Sequence, residues 1–440
     1  MRLSIIGGGQ IGTSVARAAA RSGKYRDISI SEPDDDARKV LKELLAQDPA
    51  TKRIEVTDSN KKAANRADIV VLATPIDQFA PVTHEIADSL KSGVAITDVG
   101  SIKQQSAAAI LDNLPKGMAG RYVPAHPTVG AEGSGPKTSK PDMFDGGTII
   151  VDTSTADASA ATAITQLWED VGGKPLGLTA GQHDKLYGTT SHLQHLVAFA
   201  ATRALPSEST KLSEDQRSLY QMTRIADANK EMWLPIFEGN KSAIVESGAA
   251  YMDRLTSIKQ ALQSGDREGL TAILTKAHDF AKGFQAPEDD AVLVAARDTM
   301  RAPSDKAGDG LGLPMVLANV TALNAQRVEG EIKQPLAPLA NRSLKEASRL
   351  TQLPPAQSAD FLLANRGAVL KAISGFEVGF ANNLSSVIQS DPTAQTAMIT
   401  EARQKRRGVT LPDRPVIVAD NKPVARDVPQ AKPRYGNHSA

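Results

Sequence analysis

The sequence lacks cysteine altogether, which excludes disulfide bonds, thiolate catalysis and cysteine-based metal sites. It also lacks a large net charge, because 51 lysines and arginines stand against 50 aspartates and glutamates, and no global field marks a protein that binds nucleic acid or a membrane surface. No apolar run approaches the roughly 18 residues that a transmembrane helix needs. The first apolar stretch, residues 3–6, is too short for a signal-peptide core. These absences predict a cytoplasmic protein with no nucleic-acid or membrane partner.

The first 180 of the 440 residues alternate short apolar runs with helical stretches. In the segments between these runs, for example residues 79–90 and 156–171, apolar residues recur at helical spacing. Because buried parallel strands are apolar throughout and need helical crossovers, we predict an α/β, doubly wound, Rossmann-type domain over residues 1–180. Its strands are expected at residues 3–6, 28–31, 69–73, 95–97 and 148–151, with weaker candidates near 121–123 and 175–178.

Beyond residue 183 the strand-like runs disappear and helical spacing takes over. We expect an all-α helical domain over residues 181–290, with helices at 191–205, 214–227, 241–263 and 267–282. Residues 286–312 contain two prolines and a glycine-rich end, which predicts a linker. A further helical region follows over residues 305–410. The last 30 residues hold five prolines and little apolar periodicity, so 411–440 is predicted to be a disordered tail.

The helical half contains an internal repeat at a shift of 125 residues. Arg217-Ser218-Leu219 followed by Arg224 recurs as Arg342-Ser343-Leu344 followed by Arg349. Further matches keep the same register without a gap over almost 70 positions, among them Asn240 with Asn365 and Asp266 with Asp391. We therefore interpret residues 305–410 as a degenerate copy of the preceding helical domain; two similar helical hairpins are the alternative.

A glycine-rich turn follows the first predicted strand and opens the first predicted helix. Gly7, Gly9 and Gly12 have the G-x-G-x-x-G spacing, with Gln10 and Ile11 between the last two glycines. The glycines permit a tight turn, close approach of the backbone to a pyrophosphate and close packing of helix on strand. The helix N-terminus offers unpaired N–H groups to phosphates. This turn predicts a dinucleotide site.

An acidic residue after the second strand specifies the dinucleotide. Glu32 lies 20 residues beyond Gly12, where a carboxylate accepts hydrogen bonds from a ribose diol and repels a 2′-phosphate. NAD is therefore predicted and NADP disfavoured, although Arg38 is nearby. Thr74 and Pro75, after the third strand, are expected to line the nicotinamide side at the carboxyl end of the sheet.

Two further motifs follow strands, and several lie in the helical part. They are Asp98-Val99-Gly100-Ser101-Ile102-Lys103, Ala125-His126-Pro127-Thr128-Val129-Gly130-Ala131-Glu132, His183-Asp184, Ser191-His192-Leu193-Gln194-His195, Thr223-Arg224-Ile225-Ala226 and Met232-Trp233. In this order and spacing they resemble the prephenate/arogenate dehydrogenase family of tyrosine biosynthesis, over roughly residues 1–285.

The resemblance implies oxidation of a cyclohexadienol by NAD with loss of its ring carboxylate, and it implies roles for five residues. His126 would take the proton of the substrate hydroxyl, and Ser101 would support it. Arg224 would bind a substrate carboxylate, with His195 and His192 lining the same pocket. Histidine suits proton abstraction near neutral pH, and arginine suits a dicarboxylate substrate.

Other interpretations stay open at this point. His192 and His195 share one helix face and could be a metal pair, but no third ligand is visible, so no metal is predicted. His183 could cap or brace a helix. Gln194 stands where the family usually has proline between two histidines, which alters the expected geometry at the start of that helix.

The resemblance leaves open the identity of the substrate, the type of activity and the oligomeric state. Arogenate is an alternative to prephenate, and feedback inhibition by tyrosine is undecided. A hydroxyacid dehydrogenase of the β-hydroxyacid superfamily would use Lys185, and a non-catalytic nucleotide-sensing protein is a third possibility. Because the family dimerises through its helical domain, we expect either a homodimer or a single-chain pseudo-dimer in which the second copy replaces the partner.

Overall fold

A six-stranded parallel sheet is the central element of the N-terminal part of the protein. The computed structural model describes residues 1–129, 134–206, 210–284, 290–301, 307–340 and 342–411. The strand order is β3-β2-β1-β4-β5-β6, and every adjacent pair is parallel. The strands are β1 Arg2–Ile6, β2 Asp27–Ser31, β3 Glu55–Thr57, β4 Ile69–Leu72, β5 Ala95–Asp98 and β6 Tyr122–Val123.

Helices join these strands and cover both faces of the sheet, which confirms the doubly wound prediction. Buried apolar side chains form one core on each face, one of them around Phe79 and the other around Trp168. The strand β3 was not predicted, because it has only three residues and Glu55 is exposed. The helices are α1 Gln10–Ser22, α2 Asp35–Ala46, α3 Asn60–Ala64, α4 Phe79–Ile86, α5 Gln104–Leu111 and α6 Ala158–Asp170.

A second, three-stranded sheet follows the first and carries the predicted His126. Its strands are β7 Ala125–Pro127, β8 Thr148–Val151 and β9 Lys174–Gly177. β7 runs antiparallel to β8, and β8 runs parallel to β9. His126 is opposite Ile150 in this register, so a regular backbone ladder fixes its position.

The rest of the described chain is almost entirely helical. A two-residue parallel strand pair, β10 Thr210–Lys211 with β11 Val409–Thr410, is the exception among the described residues. The helices are α7 Ala180–Tyr187, α8 Leu193–Ala201, α9 Arg217–Met222, α10 Lys230–Gly239, α11 Lys241–Ser264, α12 Arg267–Ala281, α13 Ala291–Arg301, α14 Leu313–Ile332, α15 Arg342–Ala347, α16 Pro355–Ala364, α17 Arg366–Ile388 and α18 Pro392–Arg407. The predicted tail lies outside the described residues from position 412 onward.

The helix that carries His192 and His195 begins earlier than expected. The sequence predicted a helix start at residue 191, which is wrong. α7 continues without a break through a π-helical segment, Gly188–His192, into α8. The π turn frees the Thr189 carbonyl, which accepts a hydrogen bond from Gln194 Nε2 at 3.0 Å. The Gln194 side chain therefore provides the hydrogen-bond donor for a backbone carbonyl of this irregular turn.

The expected linker at 286–312 also contains a helix. α13 buries Val292, Leu293, Ala295 and Ala296 against the helical core, and this spacing is that of one helix face. Its prolines lie outside the helix, at positions 287 and 303. Within the described residues, no helix is both long and apolar enough to span a membrane.

The helices of the C-terminal part fall into two sets with matching bounds. α9, α10, α11 and α12 begin 125 positions before α15, α16, α17 and α18 respectively. A second π-helical segment, Gly308–Gly312, precedes α14 just as Gly188–His192 precedes α8. The shift between the two π segments is 120 positions rather than 125.

Candidate active site

The glycine turn lies between β1 and α1 and has the geometry of a phosphate-binding turn. Gly7 has a φ of 112°, and a Cβ there would meet the Ala73 carbonyl oxygen at 2.6 Å. A Cβ on Gly12 would collide with the Gly7 carbonyl oxygen. Both positions therefore require glycine. Gly9 caps α1, and a Cβ there would meet nothing within 4 Å.

The surroundings of this turn fit a dinucleotide. The cap residue Gly9 has no side chain to bind the helix N–H groups, so they remain available to phosphates. Glu32 is half-buried and accepts a hydrogen bond from the Gly8 N–H at 3.1 Å, which holds its carboxylate beside the turn. Thr74 Oγ1 is buried without a hydrogen-bond partner, and Pro75 next to it caps a short 3-10 helix. A buried hydroxyl of this kind needs a partner, and a bound ligand would supply one.

The other two residues of the turn hold it against the rest of the domain. Gln10 Nε2 donates a hydrogen bond to Thr138 Oγ1 at 2.8 Å, which joins the start of α1 to the short helix Pro136–Thr138. Ile11 packs against the core beneath the sheet. Arg38 donates to the Glu32 backbone carbonyl at 2.8 Å and pairs with Asp35. In this arrangement its guanidinium is engaged by the protein.

A buried ion pair supports the strand that carries His126. Lys103 and Asp98 are in contact and almost fully inaccessible to solvent. Lys103 Nζ also donates to the Ala125 carbonyl at 2.6 Å, and Asp98 Oδ1 accepts from the Tyr122 hydroxyl at 2.8 Å. A buried ion pair that also hydrogen-bonds the backbone fixes the local geometry, here at the residue before His126.

His126 is the first member of a hydrogen-bonded chain of three side chains. Its Nδ1 lies 2.8 Å from Nε2 of His183, and Nδ1 of His183 lies 2.8 Å from Oδ1 of Asp184. Asp184 also accepts the backbone N–H groups of Lys103 and Gln104 at 2.7 and 2.8 Å. His126 is half-buried, whereas His183 and Asp184 are buried.

This chain determines which ring nitrogen of His126 is an acceptor. An ionised Asp184 only accepts hydrogen bonds, so His183 Nδ1 carries a proton and its Nε2 has a lone pair. His126 Nδ1 must then donate to His183, which leaves a lone pair on His126 Nε2. Burial, reinforced by the proximity of His183, Lys103 and His192, holds the pKa of His126 well below its usual value. The imidazole of His126 is therefore neutral near pH 7.

His192 and His195 lie farther along the same helix. Asn240 Nδ2 donates to the Asp184 carbonyl and lies 2.9 Å from His192 Nδ1, so His192 Nδ1 accepts and its Nε2 carries the proton. His195 Nδ1 lies 3.1 Å from the Ser191 carbonyl, and its ring lies against Trp233 with centroids 3.5 Å apart. Burial lowers the pKa of both histidines to about 3. Within the described residues, no three His, Asp or Glu side chains are grouped to hold a metal ion.

Arg224 lies at the other end of this row of histidines, where its charge contributes to the lowered pKa of His195. Its Nε and Nη2 donate to Oε2 of Glu346 at 3.0 and 2.6 Å. Glu346 comes from α15, in the second set of helices. Ser101 is half-buried in the turn after β5, and no hydrogen bond joins it to His126 among the residues that the structure describes.

The sequence predicted the role of His126 and contained His183-Asp184 as a recognisable motif, but it did not indicate that this motif orients His126. His183 and Asp184 are 57 and 58 positions away, and only the fold brings them to β7. A polar pair of neighbouring residues on a buried helix face was the available signal. Glu346 carried no signal at all, because it has the sequence context of a solvated helix residue.

Family models match most of this region. The nucleotide-binding domain of prephenate dehydrogenase matches residues 15–176, and the prephenate dehydrogenase dimerization domain matches residues 179–276. The second match ends at residue 276, before α13 and the second set of helices.

Individual proteins agree with the family models. The chain is 28% identical to the cyclohexadienyl dehydrogenase of Zymomonas mobilis, over 61% of this chain and 90% of that protein. It is 27% identical to the prephenate dehydrogenase of Bacillus subtilis, over 66% and 77% of the two chains. The crystal structure of Aquifex aeolicus prephenate dehydrogenase in complex with hydroxyphenyl propionate and NAD+ aligns with a TM-score of 0.54 and 25% identity, over 63% and 95% of the two chains.

Proposed function

The chain belongs to the prephenate dehydrogenase family, and on that basis we propose that it is an NAD-dependent enzyme of tyrosine biosynthesis that converts prephenate to 4-hydroxyphenylpyruvate. The observation that carries this proposal is the chain His126–His183–Asp184, which leaves a lone pair on Nε2 of a neutral, half-buried histidine. That is the group required to accept the proton of a ring hydroxyl during alcohol oxidation.

The residues that would hold NAD are those of the glycine turn and its neighbours. The N–H groups at the start of α1, beside Gly9, bind the pyrophosphate, and Glu32 binds the ribose diol. Thr74 and Pro75 line the side next to the nicotinamide. The chemistry that NAD would supply when bound is a hydride acceptor for the ring carbon that bears the hydroxyl. A carboxylate at Glu32 also disfavours the 2′-phosphate of NADP.

His126 receives the hydroxyl proton on Nε2 as the C–H bond breaks. The resulting imidazolium is stabilised by its Nδ1–H bond to His183, behind which Asp184 supplies negative charge. The oxidised ring then loses its carboxylate as carbon dioxide, and the electron pair of the broken C–C bond makes the ring aromatic. His126 returns its proton to the phenolate oxygen, so protons and electrons balance.

In this proposal the charged side chain of the substrate lies at the Arg224 end of the site, opposite His126. Arg224 binds a substrate carboxylate through its guanidinium. His192, whose Nε2 carries a proton, is a further donor to that carboxylate, and His195 with Trp233 forms the wall beside it. Ser101 is assigned to support the hydroxyl at the His126 end.

One competing activity loses support from the geometry. A hydroxyacid dehydrogenase of the wider superfamily would use Lys185 as its catalytic lysine. Lys185 pairs instead with Glu331 at 2.7 Å and with Glu246 at 3.4 Å, and that activity leaves the histidine chain without a role. A nucleotide-sensing role likewise gives the histidine chain no function.

The second set of helices is proposed to be a degenerate copy of the family's dimerization domain. This divides the chain into a Rossmann-type domain at 1–180, a helical substrate domain at 181–290 and its copy at 305–410. The packing supports the division: α8 contacts α17 as α14 contacts α11, and α12 contacts α16 as α18 contacts α10. Under this proposal the copy takes the place of a partner subunit.

A spectrophotometric assay tests the activity. Prephenate, and then arogenate, is supplied with NAD, and the absorbance of the reduced cofactor is followed while carbon dioxide and the phenolic product are measured. Equal amounts of reduced cofactor, carbon dioxide and phenolic product are expected, the product being 4-hydroxyphenylpyruvate from prephenate and tyrosine from arogenate. Binding of NAD without turnover of either cyclohexadienyl acid would favour a nucleotide-sensing role.

A further inference from the structure

The second copy of the helical domain reaches into the active site of the first. Helix α15 of the copy contacts both the π segment Gly188–His192 and α8, which carry His192 and His195. Its residue Glu346 contacts Arg224. The proposed substrate site is therefore built from both copies.

The two copies meet about an approximate twofold axis. Tyr251 and Phe376 occupy equivalent positions 125 residues apart, and their rings are neighbours, with centroids 6.5 Å apart and an interplanar angle of 46°. The π segments occupy equivalent places as well. A Cβ on Gly188 would meet Ala243, and a Cβ on Gly308 would meet Ala368, which is the equivalent of Ala243. These contacts on one side of the axis thus have counterparts on the other.

The two residues equivalent to Arg224 and Glu346 do not form an ion pair, because one of them is neutral. The equivalent of Arg224 is Arg349, and the equivalent of Glu346 is the neutral Gln221. Arg349 lies 3.6 Å from Asp290 instead. The positions of His192 and His195 correspond, at the shift of the π segments, to Gly312 and Met315. An acidic residue at the position of Glu346 is thus present only on the side that has the histidines, whereas Asp290 is the partner of the arginine on the other side.

We propose that Glu346 is a specificity-determining residue of the active site, which favours a substrate whose side chain carries an ammonium group beside its carboxylate over one that carries a keto group there. This inference rests on the proposed function. Prephenate and arogenate share the ring chemistry at His126 and differ only in this side chain. The substrate class that Glu346 selects is the α-amino acid form.

The chemistry of a charge pair explains the selection. An α-amino acid is a zwitterion, so its carboxylate binds the Arg224 guanidinium while its ammonium binds the Glu346 carboxylate. An α-keto acid presents only the carboxylate, which Glu346 repels. Glu346 and Arg224 are one-fifth and one-quarter exposed, so solvent screens part of this effect.

The test compares the two substrates on one isosteric variant. Glu346→Gln keeps an acceptor for Arg224 and removes only the charge. At saturating NAD we expect the ratio of kcat/KM for arogenate to kcat/KM for prephenate to fall by about tenfold. Equal changes for both substrates, or an unchanged ratio, would overturn the proposal.

A matched ion pair provides the control. Lys259 and Glu377 also join the two copies, also at 2.6 Å and with nearly the same exposure as Arg224 and Glu346. They lie between the long helices α11 and α17. Glu377→Gln is expected to leave the substrate ratio within about twofold of the unaltered protein, because an exposed pair remote from substrate contributes little.

Product binding separates this inference from the proposed function. Calorimetry on the NAD-loaded protein compares L-tyrosine with 4-hydroxyphenylpyruvate. Glu346→Gln should weaken the binding of L-tyrosine and strengthen the binding of 4-hydroxyphenylpyruvate. If the unaltered protein turns over neither substrate, the proposed function fails while this comparison still tests Glu346. An unchanged ratio of the two product affinities, or no binding of either product, would overturn the inference.

Discussion

His183 Nε2 lies 2.8 Å from His126 Nδ1, and this contact joins β7 of the three-stranded sheet to helix α7. His183 is fully buried and bonded in turn to Asp184. The contact sets the tautomer of His126 and holds its ring against β7. The orientation of the proposed base therefore depends on a residue of the next domain.

Replacing His183 tests this dependence. His183→Ala removes the acceptor for His126 Nδ1–H, so the ring loses both its tautomer and its orientation. We expect kcat to fall by roughly tenfold to a hundredfold while KM for NAD is unchanged. Steady-state kinetics with each substrate varied in turn measures both quantities.

A conservative variant distinguishes positioning from loss of structure. His183→Gln retains an acceptor oxygen, so it should recover part of the kcat that His183→Ala loses. The exposed His84 serves as the matched control, and His84→Ala should have no effect. Equal kcat values for the Ala and Gln variants would show that His183 only fills space.

The buried histidines make stability depend on pH. Burial lowers the pKa of His192 and His195 to about 3, and that of His126 and His183 well below 6.5. The unfolded chain therefore binds protons that the folded chain does not as pH falls below 6.5. The free energy of unfolding should fall from pH 6.5 downward, by about 1.4 kcal/mol per pH unit for each proton taken up.

Chemical denaturation between pH 5 and 8 measures this slope. His195→Gln removes one of the four groups, so the slope below pH 6.5 should decrease by about one proton. The same slope in both proteins would mean that His195 is already protonated in the folded state.

The cofactor preference depends on Glu32. Glu32→Gln weakens the acceptor for the ribose diol and removes the charge that disfavours a 2′-phosphate. We expect NAD to bind about tenfold more weakly, and we expect the ratio of NAD affinity to NADP affinity to decrease. Fluorescence titration with the reduced cofactors measures both affinities. Glu43→Gln, on the exposed face of α2, is the control, and an equal loss in both variants would contradict the assignment.

The N-terminal fold was predictable from the sequence because its strands are buried on both faces. Residues 69–72 form an apolar strand with every side chain buried, and such runs are apparent without any knowledge of packing. The strand β3 was not predicted because it is short and at the edge of the sheet. α13 was assigned to a linker because prolines flank it, and its buried face became apparent only when its partners were in place.

The site was only partly predictable, for a related reason. His126 and the glycine turn lie in local motifs whose spacing carries chemical meaning. His183, Asp184 and Glu346 act through contacts that span 57 to 122 positions, and no local pattern encodes such a contact. The π turn Gly188–His192 was likewise not predicted, because the contact that satisfies it, from Gln194 to the Thr189 carbonyl, depends on the folded backbone.

Sedimentation tests whether the second helical copy replaces a partner subunit. α11 packs on α17 and α12 packs on α16, and under the proposal these contacts replace those that a partner subunit would make. We expect the mass of a single chain at micromolar concentration. A tight dimer whose interface is formed by residues 181–285 of two chains would contradict this arrangement.

The most direct test of the account is turnover by His126→Asn. Asparagine keeps the size and polarity of the site but provides no base, and the proposed NAD site is elsewhere, at the glycine turn. We predict that reduction of NAD by prephenate or arogenate falls by about a hundredfold to ten-thousandfold while NAD affinity is unchanged. Turnover within a few-fold of the unaltered protein would contradict the role of His126 and the mechanism built on it.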